Sequence, residues 1–245
     1  MNISLFLFKK EMARLPILMY HNVTVKSDKV QGLTIHKELL EEQFKYLVKK
    51  KYQTHHLSDL KKTSSLKGKN VIITFDDVTV NQLEFAVPLL VKYNLKATFF
   101  VPFAYIGGVD GWNDGTEAIM SVEQLKNLPS LIELGHHSHK HRAYAKLTNE
   151  EIKEDFDTCY SICETFGLTV FSGVAYPYGN YPKKDPAKSV FFSELKKNGI
   201  EYGLRIGNKV NSFPFKNPYE IKRLDIRGNE SLFKFKVKLH FGKLF

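Results

Sequence analysis

The chain has 245 residues, of which 43% are hydrophobic and 25% charged, so it is long enough for one large domain with a buried core and too apolar for disorder. No stretch approaches the ~18 to 20 apolar residues of a membrane-spanning helix, and no secretion signal is recognisable, which favours a cytoplasmic location. The formal net charge of +10 suits an anionic partner, but the basic residues are mostly scattered, and no nucleic-acid partner is predicted.

Strands and helices alternate along the sequence. The predicted strands are 16–20, 70–75, 96–101, 131–135, 168–176, 200–206 and 221–226. The predicted helices are 36–51, 81–93, 121–128, 148–167 and 187–199. Helix 81–93 contains a proline that can bend it, and helices 121–128 and 148–167 each begin with a capping box. This alternation predicts a mostly parallel sheet. Seven or eight such units favour a closed or nearly closed βα barrel, with an open doubly wound sheet as the alternative.

Two further segments allow a prediction each. Cys159 and Cys163 lie four residues apart in a helical pattern, which indicates free thiols in a reducing compartment, with half of a metal site as the lesser alternative. In the segment 233–239, aromatic and aliphatic residues alternate with lysines. That pattern predicts an amphipathic edge strand, and docking on anionic lipid head groups is the alternative.

Polar residues follow several predicted strands, where the chemistry of a βα barrel collects. His21 follows the first strand, Asp76 and Asp77 follow the second, and the cluster 136–141 contains four histidines. Asp77 with two imidazoles can bind a divalent metal, which leaves Asp76 free as a base and offsets the repulsion between the two acids. Taken singly, the acid pair can also be a helix N-cap, the histidine cluster a solvated loop, and His21 a structural residue.

The sequence resembles the polysaccharide deacetylase family (carbohydrate esterase family 4, the NodB homology domain) from "LPILMYHNV" to "YEIKRLDIRG". "TFDD" is similar to its first motif, "HSHKH" to its second and "AYPYG" to its third. The resemblance implies a distorted (β/α)7 barrel, here a single domain over 1–245 with its catalytic core at about 15–230. It also implies a metal, usually zinc, with cobalt or nickel as other options for this ligand set.

The resemblance also implies roles for individual residues. Asp76 would be the catalytic base, and Ser138 would steady the loop between the two histidine ligands. The metal ligands would be Asp77, His137 and His141. Tyr178 would offer its backbone N–H to the oxyanion, next to Tyr176 and Pro177 at the substrate.

The sequence departs from the family pattern at three points. Ala175 stands where the third motif often has an arginine that tunes the base, and Arg205 or Arg223 are the candidates to replace it. Val78 stands where "TFDD" is usually followed by glycine, which places a β-branched residue near the metal loop. The general acid is then a choice between two histidines, and the "YH" at His21 is favoured over His240.

The implied activity is removal of the N-acetyl group from an N-acetylated sugar in a polysaccharide, a glycolipid or a cell-surface glycan precursor, with release of acetate. Trp112, in a Gly/Asp-rich loop, is either a sugar-stacking platform or a loop tip packed on the barrel. Ala175 and Val78 motivate a non-catalytic glycan-binding barrel as an alternative, and a hydrolase of another carbon–nitrogen amide is a third possibility. Peripheral contact with an anionic membrane is predicted only through the basic C-terminal segment.

Overall fold

The computed structural model describes residues 12–243. The prediction about a secretion signal falls on the N-terminal residues, and it lies outside the described residues, as do the two ends of the predicted domain. The strands are β1 Ala13–Leu15, β2 Ile17–Tyr20, β3 Val23–Thr24, β4 Ile35–His36, β5 Tyr52–Thr54, β6 Lys69–Asp76, β7 Ala97–Val101, β8 Ile132–His136, β9 Val170–Ala175, β10 Tyr202–Ile206, β11 Asn211–Phe213 and β12 Ile221–Asp225. The α-helices are α1 Lys37–Lys49, α2 Val87–Lys92, α3 Val122–Lys126, α4 Asn149–Phe166, α5 Ala187–Lys197 and α6 Leu232–Phe241.

The main sheet is a closed parallel barrel. Its strand order is β2-β12-β10-β9-β8-β7-β6-β5, and a further pairing of β2 with β6 closes the ring and leaves β5 outside it. β1 pairs antiparallel with β11, while β3 and β4 form a separate short parallel pair. The predicted (β/α)7-type barrel is therefore confirmed, and the open doubly wound sheet is excluded.

The barrel strands are apolar because both of their faces are covered. In β6 every residue after Lys69 is buried, as expected for a parallel strand that has the barrel interior on one face and helices on the other. The capping boxes of Ser121 with Gln124 and Thr148 with Glu151 begin α3 and α4 as predicted. Gly167 ends α4 in the left-handed conformation, which a residue without a Cβ adopts at no steric cost.

The predicted helix 81–93 is divided into two parts. Residues Gln82–Ala86 form a π-helical turn, and α2 begins at Val87 with Pro88 in its first turn. Proline has no N–H to donate to the preceding turn, so a wider turn can precede it. The predicted proline effect is thus found at the junction between these two segments.

The C-terminal edge strand predicted for 233–239 is wrong, because this segment lies in helix α6. Ser231 caps the helix by accepting a hydrogen bond from the Lys234 N–H, and Phe235 and Leu239 face the core at helical spacing. Lys238 is buried on the same face, with its ammonium group bonded to Asp225 and Glu230. The period-two pattern misled because these two acids, which lie outside the alternating segment, allow a lysine to face the core.

Two further sequence predictions concern the cysteines and membrane-spanning helices. Cys159 and Cys163 are free thiols in α4, as predicted. Among residues 12–243 no helix is long and apolar enough to cross a membrane.

Candidate active site

The carboxyl ends of the barrel strands surround one large cavity of about 1190 Å³. Asp76 is the last residue of β6 and His136 the last of β8, so the residues that follow them enter the same rim. The cavity is bordered by the predicted residues His21, Asp76, Asp77, Trp112, His137, His141, Tyr176 and Tyr178, and by Arg223. Four loops that are distant in sequence therefore meet at one place, as the strand-end reasoning predicted.

Asp77, His137 and His141 form a convergent set of possible metal ligands. Their ligand atoms all lie within 4.8 Å of one another, and all three residues are buried. The Asp77 Oδ1 atom is 3.5 Å from the Nε2 atom of His137 and 3.5 Å from that of His141. The two Nε2 atoms are 3.2 Å apart. Three donor atoms thus face one point, the arrangement of a facial His–His–carboxylate site.

The two histidines are held in different ways. The His137 Nδ1 lies 2.8 Å from the carbonyl oxygen of Ala175, which holds the ring with Nε2 towards Asp77. A second hydrogen bond of this type is the usual way in which a ligand histidine is oriented. The Nδ1 of His141 is buried without a partner, and its ring is instead held between Trp112, stacked at 4.2 Å, and Tyr178, edge-on at 4.8 Å.

The electrostatics of this trio fit a cation. Burial, followed by the charges of Asp76 and Asp110, raises the pKa of Asp77 well above its usual value. Burial also lowers the pKa of His137, and it lowers that of His141 to about 2, so both rings are neutral with lone pairs free for coordination. Asp77 Oδ1 is buried without a hydrogen-bond donor. A divalent ion would supply the missing partner and the missing charge.

Asp76 has a different environment from its neighbour. Burial alone would raise the pKa of Asp76, but the Arg223 guanidinium holds the pKa of this carboxyl well below its usual range. Arg223 donates from Nη1 to Oδ1 at 2.5 Å and from Nη2 to Oδ2 at 2.8 Å, and both side chains are almost fully buried. Arg223 on β12 therefore supplies the cation that Ala175 cannot, whereas Arg205 donates to the carbonyl of Ile206.

The two candidate acid histidines lie in different places. The His21 Nε2 is 3.6 Å from the Asp76 Oδ2, and Gln82 donates to the backbone oxygens of both residues. Burial lowers the pKa of His21 to about 4, against the opposing effect of the Asp76 charge. His240 is exposed on α6, where its ring is 3.5 Å from the Tyr46 hydroxyl. Of these two histidines, only His21 borders the cavity.

The third-motif residues divide between core and cavity. Tyr176 is fully buried, and its hydroxyl donates to the carbonyl of Tyr219 at 3.0 Å, so its ring packs in the core although the residue borders the cavity. Pro177 is also buried. Tyr178 has a φ of 58° and a side chain that is 59% exposed, so it projects over the cavity beside His141.

Trp112 packs against the hydrophobic core of the barrel, as one of its two interpretations expects, and it also contacts a metal-ligand candidate. Its ring stacks on His141 and meets Tyr105 edge-on at 4.7 Å, so one face is already occupied by a metal-ligand candidate. Ser138 is unlike its expected role, since its hydroxyl is buried without a partner. The loop is held instead through its main chain, because Phe103 N–H and Ala104 N–H donate to the carbonyls of Ser138 and His139.

Sequence reasoning missed a polar wall on one side of the cavity. The Asn81 side chain donates to Asn22 at 3.1 Å and to Glu117 at 3.0 Å, while the Thr79 hydroxyl donates to Asn22 at 3.0 Å. These residues come from separate loops. The usable signal was that Asn22 directly follows His21, and Thr79 and Asn81 follow Asp77 within four residues.

Comparison with known proteins gives a family match. The family model described as polysaccharide deacetylase matches residues 63–202, more than half of the chain. YxkH of Bacillus subtilis is 27% identical over 174 residues, which cover 69% of this chain and 58% of that protein. The poly-beta-1,6-N-acetyl-D-glucosamine N-deacetylase of Staphylococcus epidermidis is 26% identical over 175 residues, covering 67% of this chain and 57% of that protein. The matches thus span less than two thirds of the length of either relative.

A solved structure shares the barrel. The Streptococcus pyogenes deacetylase PplD in complex with acetate matches with a TM-score of 0.78 at 20% identity, covering 94% of this chain and 100% of that chain. At this level of identity the likeness establishes the fold.

Proposed function

This chain belongs to the polysaccharide deacetylase family, and on that premise we propose that it is a metal-dependent hydrolase that removes the N-acetyl group from an N-acetylated sugar and releases acetate. The observation that carries the proposal is the division of the acid pair. Asp77 faces two neutral imidazoles, whereas Asp76, the next residue, is ionised and held by Arg223. Adjacent acids with different partners suit two different tasks.

Asp77, His137 and His141 would hold the divalent ion, with zinc as the first choice and cobalt or nickel as alternatives that the same donors accept. When bound, such an ion polarises a carbonyl oxygen and lowers the pKa of water towards neutrality. The chain itself keeps the remaining groups in position. His137 is oriented by the Ala175 carbonyl and His141 by two aromatic rings.

Proton transfer would run from Asp76 to His21. Asp76 is ionised because of Arg223, so it can accept the proton of the attacking water. His21 is neutral in the free enzyme, since burial lowers its pKa to about 4. It therefore needs a proton before it can act as an acid, and the Asp76 Oδ2, 3.6 Å from its Nε2, is the neighbouring donor. From His21 the proton passes to the leaving amine, so that acetate and a free amino sugar result.

Tyr178 would complete the site through its backbone. The proposed role is donation of its N–H to the oxyanion that forms on the acetamide oxygen when water attacks the carbonyl carbon. Its φ of 58° is unusual for a residue with a side chain, and such backbone strain is common where a peptide group must face a substrate. Tyr176 and Pro177, both buried, would support this turn from below.

The non-catalytic alternative is weakened by Arg223. It was motivated by Ala175 and Val78, and Arg223 compensates for the first of these. Hydrolysis of another amide remains the second candidate, because the donors described here recognise an amide carbonyl and water, not a sugar.

Acetate release from a panel of N-acetylated oligosaccharides, nucleotide sugars, glycolipids and non-sugar amides tests the proposal. We expect release from a saccharide by the wild type and a loss of activity in Asp76→Asn with unchanged metal content. Wild-type protein that binds metal and releases nothing from any sugar would favour the binding barrel, or the other amide if one is cleaved. Wild-type protein that binds no metal would remove the proposal.

The finer proposals concern location. The cytoplasmic location and the single domain stay predictions.

Peripheral membrane contact is proposed through α6, where Phe233 is 73% and Phe241 68% exposed on a helix that carries lysines and no acid. Flotation with phosphatidylglycerol and phosphatidylcholine vesicles tests it. We expect Phe233→Ser/Phe241→Ser to weaken binding to the anionic vesicles, and equal flotation of both proteins would contradict the proposal.

A further inference from the structure

A buried carboxylate on α4 lies behind the loop that carries both histidine ligands. Asp155 is only 3% exposed, and its Oδ2 accepts hydrogen bonds from the backbone N–H of His139 at 3.0 Å and from the Tyr144 hydroxyl at 3.2 Å. Asp155 therefore binds the middle of the segment between His137 and His141, although it borders neither the cavity nor the ligand atoms.

The loop needs such a partner because its backbone is strained. Ser138 has a φ of 63° and His141 a φ of 50°, and both values lie in a region that residues with a Cβ rarely adopt. Between the two ligand histidines the side chains give little support, since the Ser138 hydroxyl is buried without a hydrogen-bond partner. The loop is thus held through its peptide groups.

These peptide groups are bonded on two sides. On the β7 side, the carbonyls of Ser138 and His139 accept hydrogen bonds from the N–H groups of residues 103 and 104. On the α4 side, the backbone N–H of His139 donates to Asp155. The bond to the carboxylate is stronger than either single bond on the β7 side, because a hydrogen bond to an ionised acceptor is about twice as strong as one between neutral groups.

We propose that Asp155 is a positioning residue that fixes the loop so that His137 and His141 both face Asp77. The inference rests on the proposed metal site. Asp155 would act through the backbone of the ligand loop from its position on α4 and would not bind the metal itself.

The carboxylate is unfavourable for the fold by itself. Its Oδ1 is buried without a hydrogen-bond donor, and burial raises the pKa of Asp155 to about 6. A buried acid with an unpartnered oxygen is expected to destabilise the fold at neutral pH, where it is ionised. A neutral side chain of the same shape removes this destabilisation. Substitution of Asp155 should therefore lower the metal affinity, while the stability of the metal-free protein stays equal or rises.

Asp155→Asn is the test variant because it keeps the shape and removes the charge. Zn²⁺ affinity is measured by competition with a chromophoric chelator, and the melting temperature is measured on the metal-free protein at pH 8. We expect the Zn²⁺ Kd to rise about tenfold, as for other partners behind metal ligands, while the melting temperature stays equal or rises. Asp157→Asn is the matched control, since Asp157 is an exposed acid on the same helix, and it should leave the Kd unchanged.

Tyr144→Phe gives an independent measurement. It removes the hydroxyl that shares Oδ2 and keeps the carboxylate, so the Zn²⁺ Kd should stay the same or fall. The proposal is overturned if Asp155→Asn binds Zn²⁺ as tightly as wild type. It is also overturned if affinity and melting temperature fall together, or if Tyr144→Phe weakens binding as much as Asp155→Asn. Failure of the wild type to bind Zn²⁺ would instead remove the metal site on which the inference rests.

Discussion

The contact between Arg223 and Asp76 gives the sharpest prediction, because both side chains are buried and joined by two hydrogen bonds. Arg223→Met keeps much of the side-chain volume and removes the charge. Breaking one partner of a buried ion pair costs about 3–5 kcal/mol of stability, since the remaining charge is left uncompensated. At ~4 Å and an effective dielectric constant of ~20 the attraction is about 4 kcal/mol, so the Arg223 charge can hold the pKa of Asp76 below its usual value against the opposing effect of burial.

The sign of the pH effect follows from this shift. In the wild type the pKa of Asp76 is held below its usual range, so the stabilisation by the pair is present at both pH 5 and pH 8. In Arg223→Met the burial of Asp76 remains and the main opposing charge is gone, so its pKa rises above the unfolded value. An acid with a raised pKa destabilises the fold increasingly as pH rises. The variant should therefore lose more stability at pH 8 than at pH 5.

Urea unfolding of the metal-free protein at these two pH values measures the stability, and the pH dependence of acetate release measures the base. We expect kcat to fall by about 10² or more, and the acidic limb of the kcat profile to move to higher pH. Arg205→Met is the matched control, since Arg205 donates to a backbone carbonyl and, among residues 12–243, to no carboxylate. Wild-type stability and an unshifted pH profile in Arg223→Met, or equal losses in Arg205→Met, would refute the reasoning.

Three further predictions concern histidines and the tryptophan. His21→Asn should lower kcat by roughly 10² to 10⁴ with metal content unchanged, whereas His240→Asn should leave kcat unchanged; the opposite ranking would return His240 to the role of acid. Trp112→Ala should raise the Zn²⁺ Kd by about two- to tenfold because the ring stacks on His141, and Trp112→Phe should raise it less, as measured by chelator competition. An unchanged Kd in both would show that the stack does not hold the ligand. Burial lowers the pKa of His136 to about 4, so its contribution to stability falls by about 2 kcal/mol between pH 7.5 and pH 5. Urea unfolding of metal-free His136→Leu should show a pH dependence weaker by that amount, and an unchanged slope would contradict the assignment.

Much of the fold could be predicted from the sequence because its signals are local. The seven predicted strands agree with barrel strands of the structure to within two residues, since continuous apolar runs between helices specify parallel strands. The short strands β1, β3, β4, β5 and β11 were not predicted. They have two or three residues each, too few to show a period.

The site could be predicted where residues follow strand ends, and it could not where the partner is remote in sequence. Asp77, His137 and His141 meet because parallel strands end at one rim. The arginine that holds Asp76 lies 147 residues away, and sequence spacing gave no reason to choose it over Arg205. Such a choice depends on which face of β12 points into the barrel.

Backbone strain is concentrated in the loops that carry the three motifs. Nine residues other than glycine have a positive φ in the part of the chain that the structure describes, and five of them lie in the three motif loops, namely Asp77, Val78, Ser138, His141 and Tyr178. Each such residue costs on the order of 1–3 kcal/mol unless the surroundings compensate. At Val78 the compensation is visible, because its side chain is fully buried in the core and contributes about 1.5–3 kcal/mol of burial. Valine in place of glycine therefore replaces backbone freedom with packing, and the turn still brings Asp77 within reach of both imidazoles.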